Sequence, residues 1–163
     1  MVLIATGALE IDGAGPEKTL RALSPEAFLA QVRLNALGPA LVLKHALRLI
    51  PRDRRAVMAA LSARVGSIGD NGFGGWYSYR ASKAALNQLV RTAAIEIARS
   101  HPAAVVAALH PGTVVSPLTR KYLGRHPAVE PAIAAARLLD VIDGLAPADT
   151  GGFFDHAGKR VPW

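Results

Sequence analysis

Four short, nearly unbroken apolar runs divide this chain, and helical periodicities fill the intervals between them. Met1–Thr6, Arg55–Leu61, Ala103–Leu109 and Gly151–Asp155 lack the alternation of a half-exposed strand. They predict strands buried on both faces, as in parallel sheets. Ser24-Pro25-Glu26 reads as a helix start, with a capping hydroxyl, a proline where no amide is needed and an acid in the first turn. That helix should run to about Ile50, with a kink in Asn35-Ala36-Leu37-Gly38-Pro39, because Pro39 has no N–H to give to the Asn35 carbonyl. Leu86, Leu89, Val90, Ala93, Ala94 and Ile97 recur at the spacing of a buried helical stripe, which turns Arg91 and Arg99 to solvent. A last helix is expected over Glu130–Ile142, with Ile133, Leu138, Val141 and Ile142 as its apolar members, ended by Asp143-Gly144.

Strand, helix and strand in repetition imply right-handed parallel crossovers and an α/β, three-layer parallel sheet. Ligands in such sheets gather beyond the carboxyl ends of the strands. Gly7, the glycine-rich segment Ser62–Ser67 and the segment His110–Ser116 all fall there, so three loops are expected to share one crevice.

Composition narrows the class. The chain has 163 residues, about one domain's worth, is 51% hydrophobic and 19% charged, and contains no cysteine. Its longest apolar runs fall far short of the ~20 residues a bilayer span needs, and no basic n-region with an apolar h-region opens it. The plain expectation is a cytoplasmic protein without membrane contact, disulfides or thiolate metal sites. A net charge of +7 raises nucleic acid as a partner. The cations are scattered, however, and no recognition helix or stacking motif accompanies them, so no nucleic-acid binding is expected. Five histidines without ligand spacing give no metal site. Gly13-Ala14-Gly15-Pro16 is an ordinary loop, since Lys18 stands where a dinucleotide fingerprint needs its third glycine.

The chemistry concentrates in Gly74–Asn87. Tyr79 and Lys83, four apart, should project from one face of a helix. An ammonium beside a phenol favours the phenolate and draws its pKa down from the usual ~10. Only Tyr79 has a lysine at this spacing, since Tyr77 would meet Ala81.

The phrase Tyr77-Ser78-Tyr79-Arg80-Ala81-Ser82-Lys83-Ala84-Ala85-Leu86-Asn87 resembles the active-site helix of the short-chain dehydrogenase/reductase superfamily, in particular its carbonyl-reductase-like, C-factor-like branch. The resemblance implies that Tyr79 is the acid/base, that Lys83 lowers its pKa and holds the nicotinamide ribose, and that the Asn35 carbonyl maintains a proton relay. Gly7 is similar to the glycine closing the family's Asn-Asn-Ala-Gly strand end, with both asparagines replaced. His110-Pro111-Gly112-Thr113-Val114-Val115-Ser116 resembles the nicotinamide-side loop, which makes Pro111, Gly112, Val114 and Ser116 cofactor-binding candidates. The family's serine falls at Ala63, three residues before Gly66, so the hydroxyl is missing there. Ser62 and Ser67 are the alternatives, with Ser67 favoured because it lies in the overhanging loop. Leu118–His126, with Thr119, Arg120, Lys121 and Arg125, corresponds to a substrate lid.

This likeness implies an NAD- or NADP-dependent oxidoreductase moving hydride between the cofactor and a small carbonyl or alcohol substrate. Residues 1–163 would form one partial Rossmann-type domain, its catalytic and substrate side, without the N-terminal Gly-rich nucleotide-binding portion. The first strand then becomes a bare sheet edge, so self-association is expected there or through the Tyr79 helix. The alternative is a non-catalytic, C-factor-like signalling or interaction fragment.

Overall fold

The computed structural model describes residues 1–123 and 127–163. Strands β1 (Val2–Ile4), β2 (Ala56–Leu61), β3 (Ala104–His110) and β4 (Phe153–Asp155) form one sheet in the order β1-β2-β3-β4. Every pairing is parallel, with Ile4 opposite Ala60, Leu61 opposite Leu109 and His110 opposite Asp155. The first strand is shorter than its apolar run suggested, because Thr6 and Gly7 have already left the ladder.

Helices cover both faces. Ile4, Met58, Ala60, Val106, Ala108 and Phe153 point to one side, where α3 (Tyr77–Ala98) lays down Leu86, Val90, Ala94 and Ile97, and α2 (Gly38–Ala46) adds Leu43. Leu89, expected in that stripe, stays 39% exposed. Val57, Ala59, Val105, Ala107 and Leu109 point the other way, against Leu138, Ile142 and Leu145 of α4 (Pro131–Gly144) and its exit. Arg55 closes the end of α4, donating to the carbonyls of Ile142, Asp143 and Leu145 at 2.6, 3.1 and 3.0 Å, which satisfies acceptors the helix leaves open. No helix among the described residues is long and apolar enough to cross a membrane.

The segment expected as one kinked helix is α1 (Pro25–Val32), capped by Ser24, then a π-helical turn over Arg33–Leu37, then α2. Gly38 donates its N–H to Arg33, five residues back. The break therefore begins ahead of Pro39: the chain takes in one extra residue before a position that cannot donate, and this rotates Asn35 inward.

Candidate active site

Tyr79 and Lys83 lie on the first two turns of α3, buried to 8% and 4% exposure. The Lys83 ammonium stands 5.8 Å from the centroid of the Tyr79 ring and donates to the Leu61 carbonyl at 3.0 Å. Its other two N–H bonds have no partner among the described residues. Gly7 faces this ammonium: a Cβ on it would come 3.3 Å from Lys83 Nζ and 3.0 Å from Asn35 Oδ1. Four of the residues singled out by sequence, Gly7, Asn35, Tyr79 and Lys83, thus come from three separate segments to one place.

Asn35 acts through its side chain as well as its position in the π turn. Fully buried, it accepts from the Ala8 N–H and donates to the Ala8 carbonyl, both at 2.9 Å, and further meets Gln31 Oε1 and Ser82 Oγ. Gln31 in turn donates to the Leu9 carbonyl at 3.0 Å, and Ser82 to the Tyr79 carbonyl at 2.8 Å. Gln31 and Ser82 escaped the sequence reading. The signal for them was the i,i+4 spacing of Gln31 to Asn35 and of Ser78 to Ser82, polar residues on otherwise buried helical faces.

The electrostatics differ from the expectation of a phenol drawn down by its neighbour. Burial pushes the Tyr79 hydroxyl up to about 12 and the Lys83 ammonium down to about 8. In this form desolvation outweighs the attraction of a cation nearly 6 Å from the ring.

Ser67 is buried, and its hydroxyl accepts the Asp70 N–H at 3.1 Å within its own turn. Ser62 is no freer, since it donates to Asn87 Oδ1 at 2.6 Å. Neither hydroxyl is hydrogen-bonded to Tyr79. Tight loop closure is the reason: Gly66 packs on Lys83, Ser62 is tied to β3 and α3, and residues 63–67 close the turn with their own backbone groups.

The segment after β3 is likewise held by local bonds. Ser116 pairs with Thr119 Oγ1 at 3.0 Å, Thr119 also donates to the Val114 carbonyl, and Val115 donates to the Val129 carbonyl at 2.9 Å. Gly112, at φ 78°, backs onto His156, and its Cβ position would lie 3.1 Å from Nδ1 of that ring. The rings of His110 and His156 meet edge to face at 6.5 Å. Burial first, then Arg64 and His156, hold His110 down to about 4 against the opposing pull of Asp155 and Asp70.

A second group missed in the sequence surrounds the start of α3. The Glu17 carboxylate accepts both the N–H and the hydroxyl of Ser78. Burial of Glu17 works to raise its pKa, but these bonds and its own backbone N–H outweigh it and hold the group below the usual carboxylate range. A small cavity of about 10 Å³ lies beside Tyr79, lined in part by Gly15, Glu17, Gln31 and Ser78. From the segment after β3, Tyr122 donates to Glu10 Oε1 and Lys121 to Glu10 Oε2, each at 2.6 Å. Arg125 and His126 lie outside the described residues.

A buried Tyr-x-x-x-Lys pair at the mouth of a parallel α/β sheet, tied to a polar helix break, defines a class. Residues 3–125 match the short chain dehydrogenase family, and the chain belongs to it. It is 35% identical over 133 residues to the 1-hydroxy-2-glutathionyl-2-methyl-3-butene dehydrogenase of Rhodococcus sp. (strain AD45), covering 82% of this chain and 57% of that enzyme. To the C-signal protein of Myxococcus xanthus it is 36% identical over 166 residues, 98% of this chain and 96% of that one. Its fold superposes with TM-score 0.80 on a Burkholderia multivorans protein of the short-chain dehydrogenase/reductase type with bound NADP, at 28% identity, covering 99% of this chain and 65% of the other. The chain therefore spans little more than half the Rhodococcus enzyme's length.

Proposed function

We propose that this chain carries the catalytic and substrate side of an NAD(P)-dependent oxidoreductase that interconverts a small carbonyl compound and its alcohol. The observation behind this reading is the meeting of Lys83 and Asn35 around the bare Cα of Gly7, with the Tyr79 ring 5.8 Å from the same ammonium. Family membership and the NADP-bound Burkholderia relative support it.

A bound nicotinamide would supply or accept the hydride. The residues present suit its ribose: Gly7 keeps the space beside the Lys83 ammonium open, and that ammonium has N–H bonds to offer. Pro111, Gly112, Val114 and Ser116 would form the carboxamide side. In the reducing direction the Tyr79 hydroxyl gives its proton to the carbonyl oxygen, and the Lys83 ammonium stabilises the phenolate left behind. Asn35 fixes the loop carrying Gly7 and so holds the floor of the site. With no hydroxyl at position 63 and Ser67 serving its own turn, the Tyr79 hydroxyl alone polarises the substrate carbonyl. On this reading residues 1–163 are one part of a single Rossmann-type domain, and pyrophosphate binding falls to a Gly-rich unit that these residues do not contain. Self-association through α3 or the open edge of β1 belongs to the same reading.

The test is Tyr79→Phe, which keeps the ring and removes the proton. Carbonyl-dependent oxidation of NADH or NADPH is expected to fall at least about 10²-fold, with unchanged thermal stability. Full retention of turnover sinks the proposal.

A second reading, a signalling or interaction protein without catalysis, is favoured by the near end-to-end match with C-signal. It predicts that Tyr79→Phe leaves biological activity intact.

A further inference from the structure

Trp76 occupies a backbone conformation that suits its side chain poorly. It is the third of three successive left-handed residues, at φ 55° after Gly74 at 63° and Gly75 at 65°. Glycine enters this region freely, but a bulky residue stays there only when its surroundings over-determine it, commonly at a functional site. The surroundings here are explicit. The Trp76 N–H donates to the Glu17 carbonyl, and Arg80 donates to the carbonyls of Gly74, Gly75 and Val65 at 3.2, 2.9 and 3.2 Å.

The indole is thereby set between two tyrosines. Its centroid lies 6.2 Å from that of Tyr79, at 68° between planes, and 5.3 Å from that of Tyr122, at 71°. Tyr122 is fixed by its bond to Glu10. Further apolar side chains stand out on the loops around the crevice: Phe73 and Ile68 on the loop before Trp76, 93% and 79% exposed, and Val115 and Leu118 after β3.

We infer that Trp76 determines substrate specificity, forming with Tyr122 an aromatic wall against which a planar aromatic or conjugated carbonyl compound lies while its oxygen meets the Tyr79 hydroxyl. This rests on the oxidoreductase reading and adds the substrate class. A flat π-system can make edge and face contacts with the indole, whereas a puckered saturated ring of the same size lacks the matching quadrupole.

Acetophenone and cyclohexyl methyl ketone share the reacting group and carbon number and differ in the planarity of the ring, so they serve as probes in NMR titrations that need no turnover. The wild-type chain is expected to bind acetophenone about fivefold tighter. Trp76→Asn, which accepts left-handed backbone readily, should keep its thermal transition and bring the ratio to about one, with Trp76→Phe intermediate. Equal binding by the wild type, or an unchanged ratio in Trp76→Asn, overturns the inference. If Trp76→Asn does not fold, Tyr122→Leu decides, since an undiminished ratio there overturns it equally. A preserved ratio together with ketone turnover that Tyr79→Phe leaves undiminished counts against the oxidoreductase reading and for the aromatic wall. Turnover of both ketones at equal kcat/KM does the reverse.

Discussion

Gly66 and Lys83 are packed so closely that a Cβ on the glycine would stand 2.7 Å from the lysine's own Cβ and 2.8 Å from its carbonyl carbon. This contact presses the loop after β2 onto α3 and positions the Leu61 carbonyl to receive the Lys83 ammonium. Gly66→Ala must move the loop or the helix, because both clashing atoms belong to rigid parts of the chain. It is expected to destabilise by about 2 kcal/mol, lowering Tm by roughly 4–8 °C. A melting curve that matches wild type disproves this packing.

The buried pair gives the chain a distinctive pH dependence. Lys83 is held down to about 8 from 10.5 by burial, so between these values the unfolded chain binds the extra proton and stability rises with pH. Tyr79 is pushed up from 10.0 to about 12, so above pH 10 the native state holds the extra proton and stability falls again. Denaturant titrations from pH 7 to 11 should show the rise, on the order of 3 kcal/mol at most, and Lys83→Met should flatten it. A rise that survives in Lys83→Met assigns it to another group.

Asn35→Ala removes a side chain that bonds both the N–H and the carbonyl of Ala8. With the Ala8 groups and Gln31 Oε1 left unpaired, a loss of about 2–4 kcal/mol is expected. Hydrogen exchange at the Ala8 amide should accelerate well before the amides of β2 and β3 do. Uniform acceleration across the sheet would show that Asn35 supports the whole fold and not this loop.

Ala63→Ser restores a hydroxyl at the place where the family resemblance expects one. If Tyr79 works without that help, the variant should raise kcat/KM by about 10-fold or more, while Ser67→Ala should leave it near wild type because Ser67 serves its own turn. The opposite pattern, no gain from Ala63→Ser and a large loss in Ser67→Ala, makes Ser67 the polarising group.

Much of the fold was legible in the pattern along the chain. Strands buried on both faces leave continuous apolar runs, and the crossover rule then allows little besides a parallel layered sheet. The Tyr79–Lys83 pair was legible for the same reason, since residues four apart on a helix share a face whatever surrounds them. The π turn before Pro39 was not, because a proline announces that a hydrogen bond is missing without saying how the helix re-registers around the gap.

The sequence by itself determined the buried strands and the shared face of Tyr79 and Lys83 on α3, which follow from local spacing and residue type, while the absence of the usual serine came from the family resemblance. Tertiary structure alone decided that Asn35 would grip Ala8, that Gly7 would leave the Lys83 ammonium open, and that Trp76 would be held left-handed beside Tyr122. It also decided the sign of the pKa shifts: spacing puts a cation near a phenol, but only packing fixes how much water both lose, and here that loss is the larger effect.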